Sequence, residues 1–451
     1  MAIIDTSTNA PIAPLVLRSP APREGRAPST QPSFDADVAI VGLGYVGLPT
    51  ALAYHAAGSR VIGIDVSPQR LEAIRTGDVD LITRDHDRLG VALGDEGFEV
   101  SGDPAALSRA AAVIVCVPTP VDAHLVPDLT MVRGACAAVV EHAVPGQLLM
   151  LTSTTYVGCT EDVLLDPVVR RGMVPGQDIF IAFSAERIDP GQESVSQESV
   201  PRVVGGATPE CVERAAAVLS RYATDVHRVP SLGTAEMTKL LENTFRAVNI
   251  ALVNEFADIC RTLDIAVTDV IDAAATKPYG YMAFSPGAGV GGHCIPCDPH
   301  YLLWQLRKDR VEAPMINEAM QQISRRPGHV VERVRELLSD RGRSLAGSRI
   351  LVVGVAYKPD VADLRESPAL EIMQRLLTLG ASVGYVDPHV RSLRLEGGVE
   401  LQPVKSPGSF HPTLVLLHTK HHDDSLDWLA PDQLVLDATY RSTGLTNRVA
   451  L

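Results

Sequence analysis

The chain has no basic surplus: 40 Lys and Arg stand against 54 Asp and Glu, a formal net charge of −14. Nucleic acids and anionic membranes select basic surfaces, so neither is an expected partner. A phosphorylated small molecule remains allowed, because a few local cations and a helix N-terminus suffice for it. No stretch approaches the roughly 18 uninterrupted apolar residues that a membrane span needs. The N-terminus has no basic start leading into an apolar core and a small-residue cleavage site, so secretion is not expected. Cysteine is also scarce, with seven in 451 residues. That odd, low number excludes a disulfide scaffold and suits a reducing compartment, and a cytoplasmic location is the expectation. Cys116 in AVIVCVPTP and Cys260 in FADICRTL lie in apolar runs and read as small buried hydrophobes.

A chain of 451 residues is too long for one ordinary core, so two or three domains are expected. Residues 1–34 are rich in Pro, Ser, Thr and Ala without helical or strand period, which predicts a disordered extension. Order begins with DVAIVGLGYVGLPTALAYHAAGSRVIGIDVSP, which reads as strand, glycine turn, helix, strand. Buried-strand patterns follow at 112–117, 147–152 and 179–183, alternating with helical stretches such as 129–142. This predicts a parallel doubly wound sheet over 35–222. From about Gly233 to Leu263 apolar residues recur every three or four positions, the pattern of one long helix. It opens a central helical domain over 223–342, interrupted by a glycine-rich loop at 285–299. At Arg349 the first theme returns: RILVVGVAYKPD echoes DVAIVGLGYVGL, and GASVGYVDP echoes GSRVIGIDVSP. The expected fold is therefore α/β, with two Rossmann-like doubly wound domains joined by a long-helix domain. The second unit, 343–451, lacks the close glycine triplet and is expected to hold a different phosphorylated ligand or the other half of the substrate.

Gly42, Gly44 and Gly47 spell G-x-G-x-x-G between a strand and a helix, with Val46 just before the last glycine. Asp65 ends the next strand, where it would accept bonds from ribose hydroxyls and repel a 2′-phosphate. NAD is thus the expected cofactor, and Arg70 lies close enough in sequence to meet its adenosine end. Thr119 in CVPTP and Thr154 in STTYVG follow strand C-termini, where open sheets bind ligands. Each hydroxyl either meets the nicotinamide end or is an ordinary loop threonine.

The sharpest local feature is SPGAGVGGHCIPCDPHYL, residues 285–302. Its glycines, Gly291 among them, permit close backbone approach to a ligand and expose Cys294 as a candidate nucleophile. His293, Cys294, Cys297 and His300 resemble a metal set. Adjacent residues rarely supply two ligands to one tetrahedral zinc, however, so no metal is expected. A thiol-exchange pair and an inert cysteine are the remaining alternatives. On the long helix Lys239, Asn243 and Arg246 fall at i, i+4 and i+7 and share one face, either catalytic or merely solvated. Glu186 and Arg187 end a strand, where Glu186 is either a general base or the acidic start of a helix.

These pieces in order, VGLGYVGLP, CVPTP, STTYVGCTE, SAERIDPG, EMTKLLENTFRAVNIALVNE, GVGGHCIPCDP and AYKPDVADLRESPALEI, resemble the UDP-glucose/GDP-mannose dehydrogenase family from about residue 36 to the end. STTY, ERIDPG and the ENTFRAVNIALVNE helix look most like the branch acting on UDP-N-acetylglucosamine. The long amphipathic helix suggests a dimer face, so a homodimer is expected. The resemblance implies an enzyme that oxidises the C6 hydroxyl of a UDP-sugar to the uronic acid, consuming two NAD, for surface polysaccharide or glycoconjugate precursors. UDP-glucose and UDP-N-acetylmannosamine are the alternative substrates. It implies Cys294 as nucleophile, Lys239 and Asn243 at the reacting oxygen, and Glu186 activating the hydrolytic water beside Thr154. Asp298 would hold Lys239 and a water. Arg187, Arg246, Gly291, Tyr357 and Lys358 would bind substrate, and Arg365 would reach the cofactor. Two departures stand out: Ala185 where a proline is usual, and Cys297 where an aliphatic residue or Lys is usual. A two-electron hydroxy-acid dehydrogenase and a non-catalytic nucleotide-binding protein are the rival classes, separated by NADH stoichiometry.

Overall fold

The computed structural model describes residues 33–187, 196–292, 295–422, 424–442, 445 and 447–451. The expected N-terminal extension and Cys294 itself therefore lie outside the described residues, apart from the last positions of the extension. Residues Phe34–Leu451 pack as one compact unit built on two larger, predominantly parallel sheets.

The first sheet contains β1 (Ala36–Val41), β2 (Val61–Ile64), β3 (Phe98–Ser101), β4 (Ala110–Val115), β5 (Leu148–Leu151), β6 (Phe180–Phe183), β7 (Arg202–Gly206) and β8 (Val226–Arg228). Their order is β3-β2-β1-β4-β5-β6-β7-β8. Helices cover both faces, which is why the strands are apolar throughout rather than alternating. Ile40, Ile114 and Met150 pack on one side with Leu48 and Leu52 of the helix Gly47–Ala56. Ala39, Val113 and Leu149 pack on the other with Val132 and Cys136 of Thr130–Glu141. The sheet is parallel except between β6 and β7. A parallel return needs a long crossover. Among the described residues between these strands the only helix is the single turn Gln197–Ser199.

The second sheet is smaller. It contains β9 (Arg349–Val353) and β10 (Ser382–Val386), then, after a two-stranded hairpin of β11 (Leu393–Arg394) and β12 (Glu400–Leu401), β13 (Leu414–Leu417), β14 (Val435–Asp437) and β15 (Arg448–Ala450). Its order is β10-β9-β13-β14-β15, and every pair is parallel. Both sheets thus reverse strand order beside their first strand, between β1 and β4 and between β9 and β13, and a crevice opens at such a point.

Between the sheets run the 31-residue helix Leu232–Thr262 and the 26-residue helix Pro314–Ser339. The first is capped by Ser231, whose hydroxyl accepts from the Thr234 amide. Arg326 on the second is 2% exposed and links three other segments. Its guanidinium meets both Asp258 oxygens at 3.0 Å, the Gly287 carbonyl at 3.0 Å and the Tyr440 hydroxyl at 3.1 Å. Asn254 accepts from the Gly287 amide at 2.9 Å. The glycine-rich loop therefore leaves from a point fixed by both long helices.

Candidate active site

At the first crevice Gly42 adopts φ +88°, a left-handed conformation that favours glycine. A side chain on Gly47 would run into the Gly42 carbonyl, so the helix can start that close to the strand only with glycine there. A Cβ on Gly44, by contrast, would meet no protein atom within 4 Å. Packing does not explain that glycine; close approach of a ligand backbone does. Val46 caps the helix, its carbonyl accepting from the Thr50 hydroxyl. Asp65 accepts from the Leu43 amide at 2.8 Å and the Ser67 amide at 2.9 Å. Arg70 donates to the Leu43 carbonyl at 2.7 Å, bracing the turn from below. The residues fit a dinucleotide: a glycine cradle, a helix N-terminus and a carboxylate at the ribose position.

The loops after β4 and β5 carry Thr119 and Thr154, both partly buried. Thr119 is tied in through its carbonyl, which accepts from Tyr301 at 3.1 Å. The Thr154 loop is anchored by Glu236, 1% exposed on the long helix, which accepts from the Gly158 and Thr160 amides and the Thr160 hydroxyl. Nothing in the sequence patterns singled out Glu236. The acid before a helical apolar run reads as surface until the loop that covers it is seen.

After β6, Glu186 accepts from the Arg202 guanidinium and, at 2.7 Å, from the Arg187 amide. Arg187 pairs with Glu242 and donates to the Pro201 carbonyl at 2.9 Å, strapping this loop to the long helix. Its guanidinium is thus also engaged by protein groups. Arg202 is the other residue that sequence reading missed, since RVVGG reads as an ordinary strand start.

Lys239, Asn243 and Asp298 come together in the interior, 8%, 9% and 3% exposed. Asn243 donates to the Asp298 carboxylate, which opens the helix Asp298–Asp309. Burial pushes the Asp298 carboxyl up to about 6, against the downward pull of Lys239 and Asn243. Arg246, one turn further on, is exposed on the same helix. Cys297 is buried at the mouth of the helix that Asp298 begins.

The second sheet's loop closes the cleft. A Cβ on Gly291 would collide with Tyr357, and one on Gly292 would fall 3.1 Å from the Tyr357 ring. The Gly292 amide donates to the Arg365 carbonyl at 2.9 Å. Arg365 pairs with Asp363, and its guanidinium lies 4.2 Å from the centroid of Tyr45, inside the dinucleotide glycine turn. Lys358 is partly buried on the same loop. Arg365 thus joins the cofactor turn, the cysteine loop and the second sheet.

Among the described residues one group, Asp360, His389 and His421, brings potential metal-ligating atoms within 4.8 Å of one another. His421 is poorly suited to a metal. Its Nδ1 accepts from the Asp360 amide at 2.9 Å and its Nε2 meets Asp387 at 3.2 Å, so both ring nitrogens are committed. No helix among the described residues is long and apolar enough to cross a membrane.

Comparison with known proteins agrees with this geometry. Residues 36–223 match the NAD binding domain of the UDP-glucose/GDP-mannose dehydrogenase family, 233–324 its central domain and 351–437 its UDP binding domain. The UDP-N-acetyl-D-mannosamine dehydrogenase of Campylobacter jejuni is 35% identical over 370 residues, 80% of this chain and 88% of that protein. The enzyme of the same name from Escherichia coli K12 is 34% identical over 371 residues, 79% of this chain and 87% of its own. A solved UDP-D-ManNAc dehydrogenase from Pyrococcus horikoshii superposes with a TM-score of 0.84 at 28% identity, covering 92% of this chain and 98% of that one.

Proposed function

This chain belongs to the UDP-glucose/GDP-mannose dehydrogenase family and is an NAD-dependent UDP-sugar dehydrogenase, and on that premise we propose that it oxidises UDP-N-acetylmannosamine at C6 to the uronic acid. The motif resemblance alone favoured UDP-N-acetylglucosamine. Relatives that carry the N-acetylmannosamine name over most of their length support the other epimer, which was the alternative.

The observation that carries the chemistry is the buried Lys239–Asn243–Asp298 group, whose Asp298 follows Cys294 closely in the sequence. NAD, when bound at the glycine turn, supplies the hydride acceptor. Lys239 offers positive charge to the oxygen at C6 as it loses hydrogen, and Asn243 orients it. The Cys294 thiol adds to the C6 aldehyde, retaining it as a thiohemiacetal that yields the second hydride and becomes a thioester. Glu186 takes a proton from water as that thioester is hydrolysed. Asp65 and Arg365 serve the cofactor, and Tyr357, Lys358, Arg187 and Arg246 the UDP-sugar.

Met237, Leu241, Phe245, Leu252, Phe256 and Ile259 form a stripe on the long helix at spacings of three, four or seven, each at least 41% exposed. Such a face supports a homodimer through this helix; a monomeric mass by light scattering would contradict it. Dependence on UDP-sugar and NAD pools supports a cytoplasmic setting.

The deciding experiment measures NADH release against UDP-N-acetylmannosamine, UDP-N-acetylglucosamine, UDP-glucose and GDP-mannose. The expected result is the highest kcat/KM with UDP-N-acetylmannosamine and two NADH per uronate. A preference for UDP-N-acetylglucosamine would overturn the substrate assignment, and one NADH per product the four-electron mechanism. Cys294→Ala should abolish uronate formation.

A further inference from the structure

Strand β7 carries a positive charge into the interior of the first sheet. Arg202, its first residue, is 1% exposed and shares the sheet face of Val204. Its Nη1 donates to Oε1 of Glu186, and its guanidinium lies 5.3 Å from the centroid of Tyr222. Tyr222 in turn packs edge-on against Tyr54 of the dinucleotide helix, with ring centroids 4.6 Å apart. Nε and Nη2 of Arg202 are buried and make no hydrogen bond among the described residues.

A guanidinium keeps its proton at any physiological pH, so this charge is permanent. Burying it is expensive unless a carboxylate lies opposite. An arginine retained there for hydrogen bonding would use more of its five donors. What it retains is one ion pair, a cation–π contact and an aromatic wall that keeps water away. The paired carboxylate belongs to Glu186, on the loop that follows β6.

We propose that Arg202 is the positioning residue for Glu186, holding its carboxylate fixed through Oε1 so that it can accept a proton during thioester hydrolysis. This rests on the reading of Glu186 as general base. In that step the water oxygen bonds to the thioester carbon while one water proton passes to Glu186. The C–S bond then breaks, Cys294 leaves as thiolate, and the proton held by Glu186 returns the thiolate to thiol. Without the opposing guanidinium, Oε1 of Glu186 would lose the side-chain contact that fixes its direction.

Arg202→Met and Arg202→Gln remove the charge. In the full-length enzyme with saturating NAD, each should lower turnover by about tenfold or more, within the roughly 10²–10⁴-fold that a general base supplies. The KM for the UDP-sugar should stay within about twofold. The acyl-enzyme on Cys294 should accumulate in quenched reactions read by intact-mass spectrometry. Arg202→Lys should recover part of the loss. If Arg202→Met does not fold, Arg202→Gln decides. A folded neutral variant with wild-type turnover overturns the proposal, as does one that loses thermal stability with no acyl-enzyme. Glu186→Gln separates the two ideas. If it accumulates no acyl-enzyme, the general-base reading falls; if it does and the Arg202 variants do not, only the role of Arg202 falls.

Discussion

The two α/β units solve the same local problem and then diverge. In each, a glycine with positive φ follows the first strand, Gly42 at +88° and Gly354 at +72°. Each glycine amide donates to the carbonyl ending the second strand, Gly42 to Ile64 at 2.8 Å and Gly354 to Val386 at 2.9 Å. In each, an aspartate just past that strand reaches back to the turn, Asp65 to the Leu43 amide and Asp387 to the Val355 amide, both at 2.8 Å. Beyond that the roles part. Asp65 is only partly buried and binds one further amide, which leaves it placed at the rim for a ligand. Asp387 is 8% exposed and accepts also from the His389 and Val390 amides and meets His421. One carboxylate is left free to meet the cofactor proposed for this turn; its counterpart holds a loop. The helix after the turn differs in the same sense. It begins at Gly47 in the first unit, where its N-terminus can face a pyrophosphate, and only at Pro368 in the second. The longer second loop delivers Tyr357, Lys358 and Arg365 to the shared cleft.

Three substitutions would break or sharpen this contrast. The largest effect is expected from Asp387→Ala, which orphans buried donors and should cost about 3 kcal/mol or more in denaturant unfolding. Burial alone would raise this carboxyl, but bonds from His421, Val355 and His389 outweigh it and hold it at about 2. Its folded value lies below the unfolded one, so its contribution is complete above about pH 4 and fades as pH falls toward 2. Acid unfolding of wild type should show this loss, and Asp387→Ala should not; equal acid sensitivity would remove Asp387 from its structural role. Next comes Asp65→Ala, which should weaken NAD binding by about tenfold in calorimetry, roughly 1.4 kcal/mol. Its cost to stability should be only about 1 kcal/mol. Unchanged affinity would end the distinction between the two aspartates. The smallest change in stability, within about 0.5 kcal/mol, is expected for Gly44→Ala, where the added Cβ meets open space. NAD affinity should nevertheless fall several-fold; a fully competent Gly44→Ala would mean that no ligand approaches there.

Much of this could be read from the chain. The long helix expected from about 233 to 263 spans Leu232–Thr262, because a sustained apolar period admits few other folds. The strands at 112–117, 147–152 and 179–183 appear at Ala110–Val115, Leu148–Leu151 and Phe180–Phe183. The antiparallel β7 was not legible, since strand direction depends on how the connection returns rather than on strand composition. Arg202 and Glu236 escaped notice for a related reason. A charged residue beside an apolar run is ordinarily solvated, and only the packing of distant segments reveals that these two are buried. Arg187 shows the converse, a cation marked by its motif whose guanidinium the fold engages with Glu242 and Pro201.

The sequence by itself determined the periodicities, the glycine turn with its following acid, and the order of motifs, all of which arise from near neighbours in the chain. Only the tertiary structure decided which charges are buried against which. It set Asp298 beside Asn243, Arg202 against Glu186 and Arg365 over Tyr45. The physical reason is desolvation: the strength of a charge depends on how much water the rest of the molecule removes from it, and that is a property of no single segment.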